Sequence, residues 1–309
     1  MSDAPYHKHL AKGLDTVVSQ WVTTPDGKRL RAVHWPADAS RGTVLLFSGR
    51  TEYAEKYGLT ASDILGQNLS LVTVDWRGQG LSDRVAKNPD VGHIDGFASY
   101  QLDVAAFIQF ATEQNCPKPW YMIAHSMGGC IGLRALIEGV GVEKAVFSAP
   151  MWGINLPVWV RPLPYFVPRV LAALGKGEGF APGAGHENYV IATPFQDNML
   201  TTDAETYGYL LDQVKEVPEF ALAGPSSDWV GHAAWETRAL RRDKRPKVPT
   251  LTFVGSDEDI VSTSAIKAVH ENWPSAELRE IQGARHEIMM EAPPKRQRFI
   301  TETLEFFAA

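Results

Sequence analysis

Residues 121–130 read Tyr-Met-Ile-Ala-His-Ser-Met-Gly-Gly-Cys, and this stretch decides the fold. A short apolar run ends in Ala124-His125-Ser126, and a helical pattern runs from Cys130 to Glu138. The order is strand, sharp turn, helix, with a serine at the apex. Small residues two places either side of the serine, Ala124 and Gly128, let strand and helix close on each other and push Ser126 outward. This is the nucleophile elbow, Gly-x-Ser-x-Gly, with alanine in place of the first glycine. The competing reading is a strand-to-helix turn that merely holds a serine. The apolar strand before it and the Gly128-Gly129 helix opening after it favour the catalytic one.

Outward from the elbow, apolar strands alternate with helical patterns. Residues 44–47 and 71–74 are four-residue apolar runs of the kind buried on both faces. Between the second run and the elbow, 96–114 is a helix, with Phe97, Tyr100, Val104, Phe107, Ile108 and Ala111 at helical spacing. Further strands are expected at 144–148, 250–254 and 277–281, and further helices at 264–272 and 294–307. Near the N-terminus, 20–36 reads as a hairpin around Pro25-Asp26-Gly27. The alternation predicts an α/β fold with a mostly parallel central sheet and helices on both faces. It breaks at Met151. Residues 157–174 are rich in proline and aromatics, 175–185 in glycine, and helical patterns follow near 203–217 and 228–242. The expected organisation is therefore core at 1–150, an inserted helical cap at 151–245, and core again at 246–309.

Composition narrows the function. The 309 residues are 44% hydrophobic and 21% charged, with a net charge of -6 and no basic block. That excludes a nucleic-acid partner. Two cysteines, Cys116 and Cys130, are too few for a disulfide framework and point to a reduced, cytoplasmic setting. Residues 1–13 lack the apolar core of a signal peptide. No apolar run has the length of a membrane-spanning helix, which leaves peripheral contact with the inner face of the membrane, through the cap.

The elbow requires a base, an acid and an oxyanion hole. In this architecture acid and base follow the nucleophile in that order, each on a loop after a later strand. Of nine histidines, only His286 follows the last strand. It is expected to take the Ser126 proton and return it to the leaving alcohol. The acid lies in Gly255-Ser256-Asp257-Glu258-Asp259-Ile260-Val261. Spacing from Gly255 and from the apolar Ile260-Val261 pair favours Glu258, with Asp257 and Asp259 as the alternatives. One oxyanion donor should be the backbone N–H of Met127, and the other should come from the loop after 44–47, where Arg50 is the candidate. The carboxylates and histidines show no metal-ligand spacing.

Together these segments resemble the α/β-hydrolase superfamily, and within it the bacterial lysophospholipases of the L-two type and the monoacylglycerol lipases. The matching pieces are Ser48-Gly49-Arg50-Thr51-Glu52 with Lys56-Tyr57, then Asp75-Trp76-Arg77-Gly78-Gln79-Gly80 with Ser82, then Gly92-His93, Phe97 and Asp103. The elbow 124–129, Ala149-Pro150-Met151 with Gly153-Ile154, and Gly283-Ala284-Arg285-His286-Glu287 complete the match. It runs from about residue 20 to the end and is weakest in the cap. Two departures stand out: Ser48-Gly49 where many relatives carry His-Gly, and Glu258 where the acid is usually Asp. The resemblance implies hydrolysis of a carboxylic ester through an acyl-enzyme, with no cofactor. A small lipid or ester is the implied substrate, and a lysophospholipase or monoacylglycerol-type lipase the implied enzyme. A general carboxylesterase on the same triad and a non-catalytic binding protein are the alternatives.

Overall fold

The computed structural model describes residues 2–309 apart from Gly13, Asp15 and Val158, the last inside the apolar stretch 157–174. Among the described residues the strands are β1 (Ser2–Asp3), β2 (Val18–Thr23), β3 (Arg29–Trp35), β4 (Thr43–Phe47), β5 (Ser70–Val74), β6 (Trp120–His125), β7 (Lys144–Ser148), β8 (Thr250–Gly255) and β9 (Ala276–Ile281). They form one sheet in the order β1-β2-β3-β5-β4-β6-β7-β8-β9. From β5 to β9 every neighbouring pair is parallel, and β1 to β3 add an antiparallel flank. The hairpin expected at 20–36 is the β2–β3 pair. The two-residue β1 was not expected, being too short to carry a pattern.

The helices are α1 (Gly58–Leu65), α2 (Ser99–Glu113), α3 (Met127–Ile137), α4 (Leu163–Ala173), α5 (Tyr189–Ala192), α6 (Ala204–Glu216), α7 (Ser227–Leu240), α8 (Thr263–His270) and α9 (Pro293–Ala308). Two buried layers flank the sheet, and side-chain alternation sorts each strand between them. Leu45, Phe47, Met122, Ala124, Ala145 and Phe147 face the layer of α2, α3, α7 and α8. Val44, Leu46, Ile123, Val146, Leu251 and Phe253 face that of α1 and α9. Burial on both faces is why these strands read as continuous apolar runs rather than as alternating ones.

Strand order positions the site. The chain leaves β4 for β5 on one side and returns to β6 on the other. This makes a topological switch point, where a crevice opens beyond the strand ends. Register brings those ends together, with Phe47 beside Ala124 and Ala124 beside Phe147. The loops after β4, β6, β8 and β9 therefore meet at one edge.

Helices α4 to α7 lie between β7 and β8. Their starts follow side-chain capping: Asp203 accepts from Thr206 N–H before α6, and Ser226 from Trp229 N–H before α7. α7 buries Trp229, Ala233 and Leu240 in the core. α4 and the one-turn α5 were not expected from the sequence, where 157–174 read only as rich in proline and aromatics. Pro162 precedes α4 and Pro164 sits in its first turn, where a missing N–H costs little; Pro168 alone removes a mid-helix bond.

Candidate active site

The elbow holds Ser126 at φ 51°, ψ -118°, a backbone conformation that costs about 1–3 kcal/mol for a residue with a side chain. Four backbone hydrogen bonds fix it. Ser126 N–H donates to Ser148 O at 3.1 Å, and its carbonyl accepts from Gly129, Cys130 and Met151. The flanking small residues have separate reasons. A Cβ on Gly128 would lie 2.1 Å from the Phe47 carbonyl oxygen, so the turn packs straight onto the end of β4. Ala124 is tolerated because its methyl faces Gly132 of α3, where a Cβ would come within 3.2 Å of it. The missing glycine of the elbow is offset by a glycine one helical turn further on.

The structure brings three of the sequence-predicted side chains into one line. His286 Nε2 is 2.8 Å from Ser126 Oγ, and His286 Nδ1 is 2.7 Å from Glu258 Oε2. All three side chains are buried. Of the three adjacent carboxylates, Glu258 is the one turned inward, while Asp257 and Asp259 are exposed. The other Glu258 oxygen accepts from Ile260 N–H at 2.6 Å and Val261 N–H at 3.0 Å. Burial works to raise the Glu258 carboxyl, but the His286 charge, its hydrogen bond and these two amides outweigh it. The carboxyl is held below its ordinary value, so Glu258 is an acceptor for the Nδ1 proton. If it orients His286, Glu258→Gln lowers kcat/KM by about three to four orders of magnitude, as a wrong-tautomer defect does. Asp257→Asn and Asp259→Asn leave it within about twofold, because neither touches the triad. Steady-state kinetics on the three variants check the ranking, and a larger loss from either aspartate would move the acid.

Beside this line lie two N–H groups with no acceptor among the described residues, those of Arg50 and Met127. The loop is shaped to leave Arg50 over. Gly49 N–H is consumed by the Glu52 carboxylate, Thr51 N–H by Gln79 Oε1 at 3.2 Å, and Gln79 Nε2 binds the Gly49 and Glu52 carbonyls at 2.8 and 3.0 Å. Two N–H groups at a strand end and a helix start can receive a developing negative oxygen.

Beneath the triad lies a charge cluster that sequence reasoning missed. Lys56 Nζ is 2.7 Å from Glu52 Oε1 and 2.7 Å from Glu287 Oε1, all three buried. Tyr57 donates its hydroxyl hydrogen to Glu52. His125 Nδ1 donates to Ser148 O at 3.0 Å, and its Nε2 stands 3.2 Å from Glu287 Oε2 and 3.5 Å from Glu52 Oε1. Burial works to lower the His125 pKa, but Glu287 and then Glu52 raise it above the ordinary value. Burial likewise works to raise the Glu287 carboxyl, and Lys56, then His125, bring it well below. Glu52, His125 and Glu287 have the donor types of a metal site. The ammonium of Lys56 already supplies the cation between the two carboxylates. The available signal was adjacency: His125 and Glu287 each neighbour a triad residue, and Glu52 and Lys56 are one helical turn apart.

Ser126 and His286 open onto a cavity of about 500 Å³. Met151, Ile154, Leu210, Val214, Leu222 and Trp229 give it a largely apolar wall. The helical segment between β7 and β8 supplies much of that wall and is tied to the histidine loop. Glu287 N–H donates to Leu200 O at 2.8 Å, and Arg285 Nη1 to Asn198 O at 2.7 Å.

Residues 38–293 match the serine aminopeptidase S33 family of hydrolases. The chain belongs to that family. It is 30% identical over 308 aligned residues to lysophospholipase L2 of Escherichia coli strain K12, covering 92% of this chain and 86% of that protein. It is 28% identical to the probable lysophospholipase L2 of Haemophilus influenzae, covering 88% and 85%. Among solved structures, a soluble variant of monoglyceride lipase from Saccharomyces cerevisiae superposes with a TM-score of 0.73 at 18% identity, covering 98% of both chains. A thermostable carboxyl esterase from Bacillus coagulans gives 0.74 at 16% identity, covering 96% of this chain and 99% of that one. The fold is the α/β-hydrolase fold, and this S33-family chain is a serine ester hydrolase, as the sequence motifs imply.

Proposed function

We propose that this ester hydrolase acts on single-chain lipids, as a lysophospholipase or monoacylglycerol-type lipase, with Ser126 as nucleophile. Ser126 Oγ attacks the ester carbonyl carbon while its proton passes to His286 Nε2. Glu258 holds the imidazole in the right tautomer and stabilises the imidazolium. The Arg50 and Met127 N–H groups receive the oxyanion. Collapse breaks the C–O bond, and the alcohol leaves with the proton from Nε2. Water then attacks the acyl-enzyme, giving its proton to Nε2, and the fatty acid is released as the serine regains its hydrogen.

The observation carrying this reading is the continuous line Glu258–His286–Ser126 ending in a largely apolar cavity. An apolar wall suits an acyl chain. An aminopeptidase substrate would instead need an unengaged carboxylate for its ammonium group. Of the three glutamates lining the cavity, Glu52 and Glu287 are already neutralised by Lys56 and His125, and the third, Glu187, is exposed to solvent, where its charge is screened. The names of the L2 relatives point the same way.

The segment 151–245 is the cap in this reading, and it meets the lipid surface. Trp159, Leu163, Phe166, Val170 and Leu174 are 79%, 46%, 64%, 60% and 65% exposed and recur at helical spacing on and beside α4. The charged side chains within 157–177 are Arg161, Arg169 and Lys176, all basic in a chain of net charge -6. Among the described residues no helix is long and apolar enough to cross a membrane. The reading is therefore peripheral contact with an anionic inner leaflet, in the reducing cytoplasm that two buried, unpaired cysteines suit.

The test is a substrate panel with one long acyl chain: lysophosphatidylcholine, monoacylglycerol, a short p-nitrophenyl ester and an aminoacyl p-nitroanilide. Each lipid is presented dispersed and on anionic vesicles. The expected result is the highest kcat/KM for the lipids, raised by vesicles, with co-flotation that Phe166→Ser and Trp159→Ser abolish. A preference for the short ester makes the protein a general carboxylesterase, and failure to float removes the membrane contact.

A further inference from the structure

The cavity wall carries a cation that no carboxylate among the described residues neutralises. Arg50 lines the cavity together with Ser126 and His286. Its Nη2 donates to the Ala223 carbonyl at 2.8 Å, and its guanidinium carbon lies 5.2 Å from the centre of the Trp229 ring. Ala223 and Trp229 line the same cavity, and on another side the guanidinium packs against Gly92, where a Cβ would lie 2.3 Å from Nη2. Its Nε is enclosed and has no acceptor among the described residues.

Arg84, Arg241, Arg245 and Arg285 also bond only to carbonyls through their side chains, but none of them lines this cavity, whereas the most deeply buried cations are ion-paired. Arg31 pairs with Glu55 and Asp75, Arg77 with Asp26 and Asp103, and Lys56 with Glu52 and Glu287. Arg50 has no ion pair among the described residues. Burial pulls its pKa down to about 10, which still leaves it cationic at neutral pH. An enclosed charge without a counter-charge is costly, and one facing a substrate cavity is satisfied when an anion arrives. The cavity's other acids cannot serve. Glu52 and Glu287 are engaged, and Glu187 is exposed.

We propose that Arg50 is the headgroup subsite, its guanidinium binding the phosphodiester of a lysophospholipid. This rests on the lipid-ester reading above and names the alcohol half of the substrate. The phosphate of such a lipid lies a few bonds from the scissile carbonyl on the alcohol side. One residue would then mark both ends of that span, with its N–H at the oxyanion and its side chain at the phosphate. Nη2 is held by the Ala223 carbonyl and Nε packs beside Gly92, so Nη1 is the nitrogen left to meet a phosphate oxygen.

The experiment compares kcat/KM for lysophosphatidylcholine and monoacylglycerol of the same acyl chain, in wild type, Arg50→Met and Arg50→Lys. Both variants keep the backbone N–H. Arg50→Met is expected to lower the phospholipid-to-neutral ratio by about ten- to a hundredfold, mostly through KM, as loss of a charged hydrogen bond does. Arg50→Lys should recover part of it. If both substrates fall together and the ratio holds, Arg50 only shapes the oxyanion loop and the proposal is overturned. A second measurement needs no variant. A non-hydrolysable ether analogue of lysophosphatidylcholine should inhibit wild-type cleavage of a short ester at least about tenfold more strongly than the matching neutral alkylglycerol. Equal inhibition also overturns the subsite. A wild-type enzyme that cleaves neither lipid sinks the lipid reading itself, whereas one that cleaves both equally sinks only the role of Arg50.

Discussion

Ser126→Ala is expected to lower kcat/KM by roughly four to six orders of magnitude while leaving the fold unchanged. The loss is large because, in the proposed mechanism, the serine oxygen is the atom that forms the covalent bond. Without it, His286 and Glu258 have nothing to activate, and what survives is binding and oxyanion stabilisation. The fold is spared for a backbone reason. Alanine and serine meet the same steric penalty at φ 51°, and the four hydrogen bonds that hold the turn are main-chain bonds. Thermal unfolding should shift by no more than about 1 kcal/mol. Fluorophosphonate labelling should vanish in the variant, with near-UV circular dichroism unchanged. Retained turnover in purified Ser126→Ala would remove this residue from the chemistry. A collapsed fold would instead show that the hydroxyl carries structure.

Much of this molecule was legible because its information is local. The strands at 44–47, 71–74 and 144–148 are short apolar runs that can only be buried on both faces, and the helices at 203–217 and 228–242 carry their own capping residues. The elbow is legible for the same reason: the constraint on Ala124, Ser126 and Gly128 is steric and acts over five residues. Helix α4 was hidden by its prolines, which disfavour a helix interior but not a first turn. The Lys56 cluster was hidden by distance. Lys56 and Glu287 are 231 residues apart, and the adjacency of Glu287 to His286 places it near the triad without marking Lys56 as its partner. From the sequence, the Arg50 side chain stood beside Arg161 and Arg169 as one of three arginines that could meet a phosphate, with nothing to separate them. Its lack of a counter-charge is a property of the folded chain.

Lys56→Met is expected to destabilise the protein by about 3–5 kcal/mol, because it leaves two buried carboxylates facing one imidazole. Methionine fills a similar volume, so the loss is electrostatic rather than a cavity effect. The sign of the pH dependence follows from the groups that remain. Glu287 has a folded pKa well below its ordinary 4.5, so it contributes stability above that value and loses it as pH falls through the folded one. His125 has a folded pKa above its ordinary 6.5, so its contribution is full below 6.5 and lost as pH rises through the folded one. Removing Lys56 leaves His125 as the counter-charge. The deficit against wild type should therefore be widest at neutral to alkaline pH and narrow below pH 4.5, where the carboxylates of the variant take up protons. Arg279→Met, at a half-exposed pair with Glu302, should cost less than about 1 kcal/mol and serves as the contrast. Denaturant unfolding of both variants between pH 4 and 8 checks the magnitude and the slope together. A pH-independent deficit for Lys56→Met, or one no larger than that of Arg279→Met, would mean that the cluster does not hold the loops of Glu52 and His286 in place by charge.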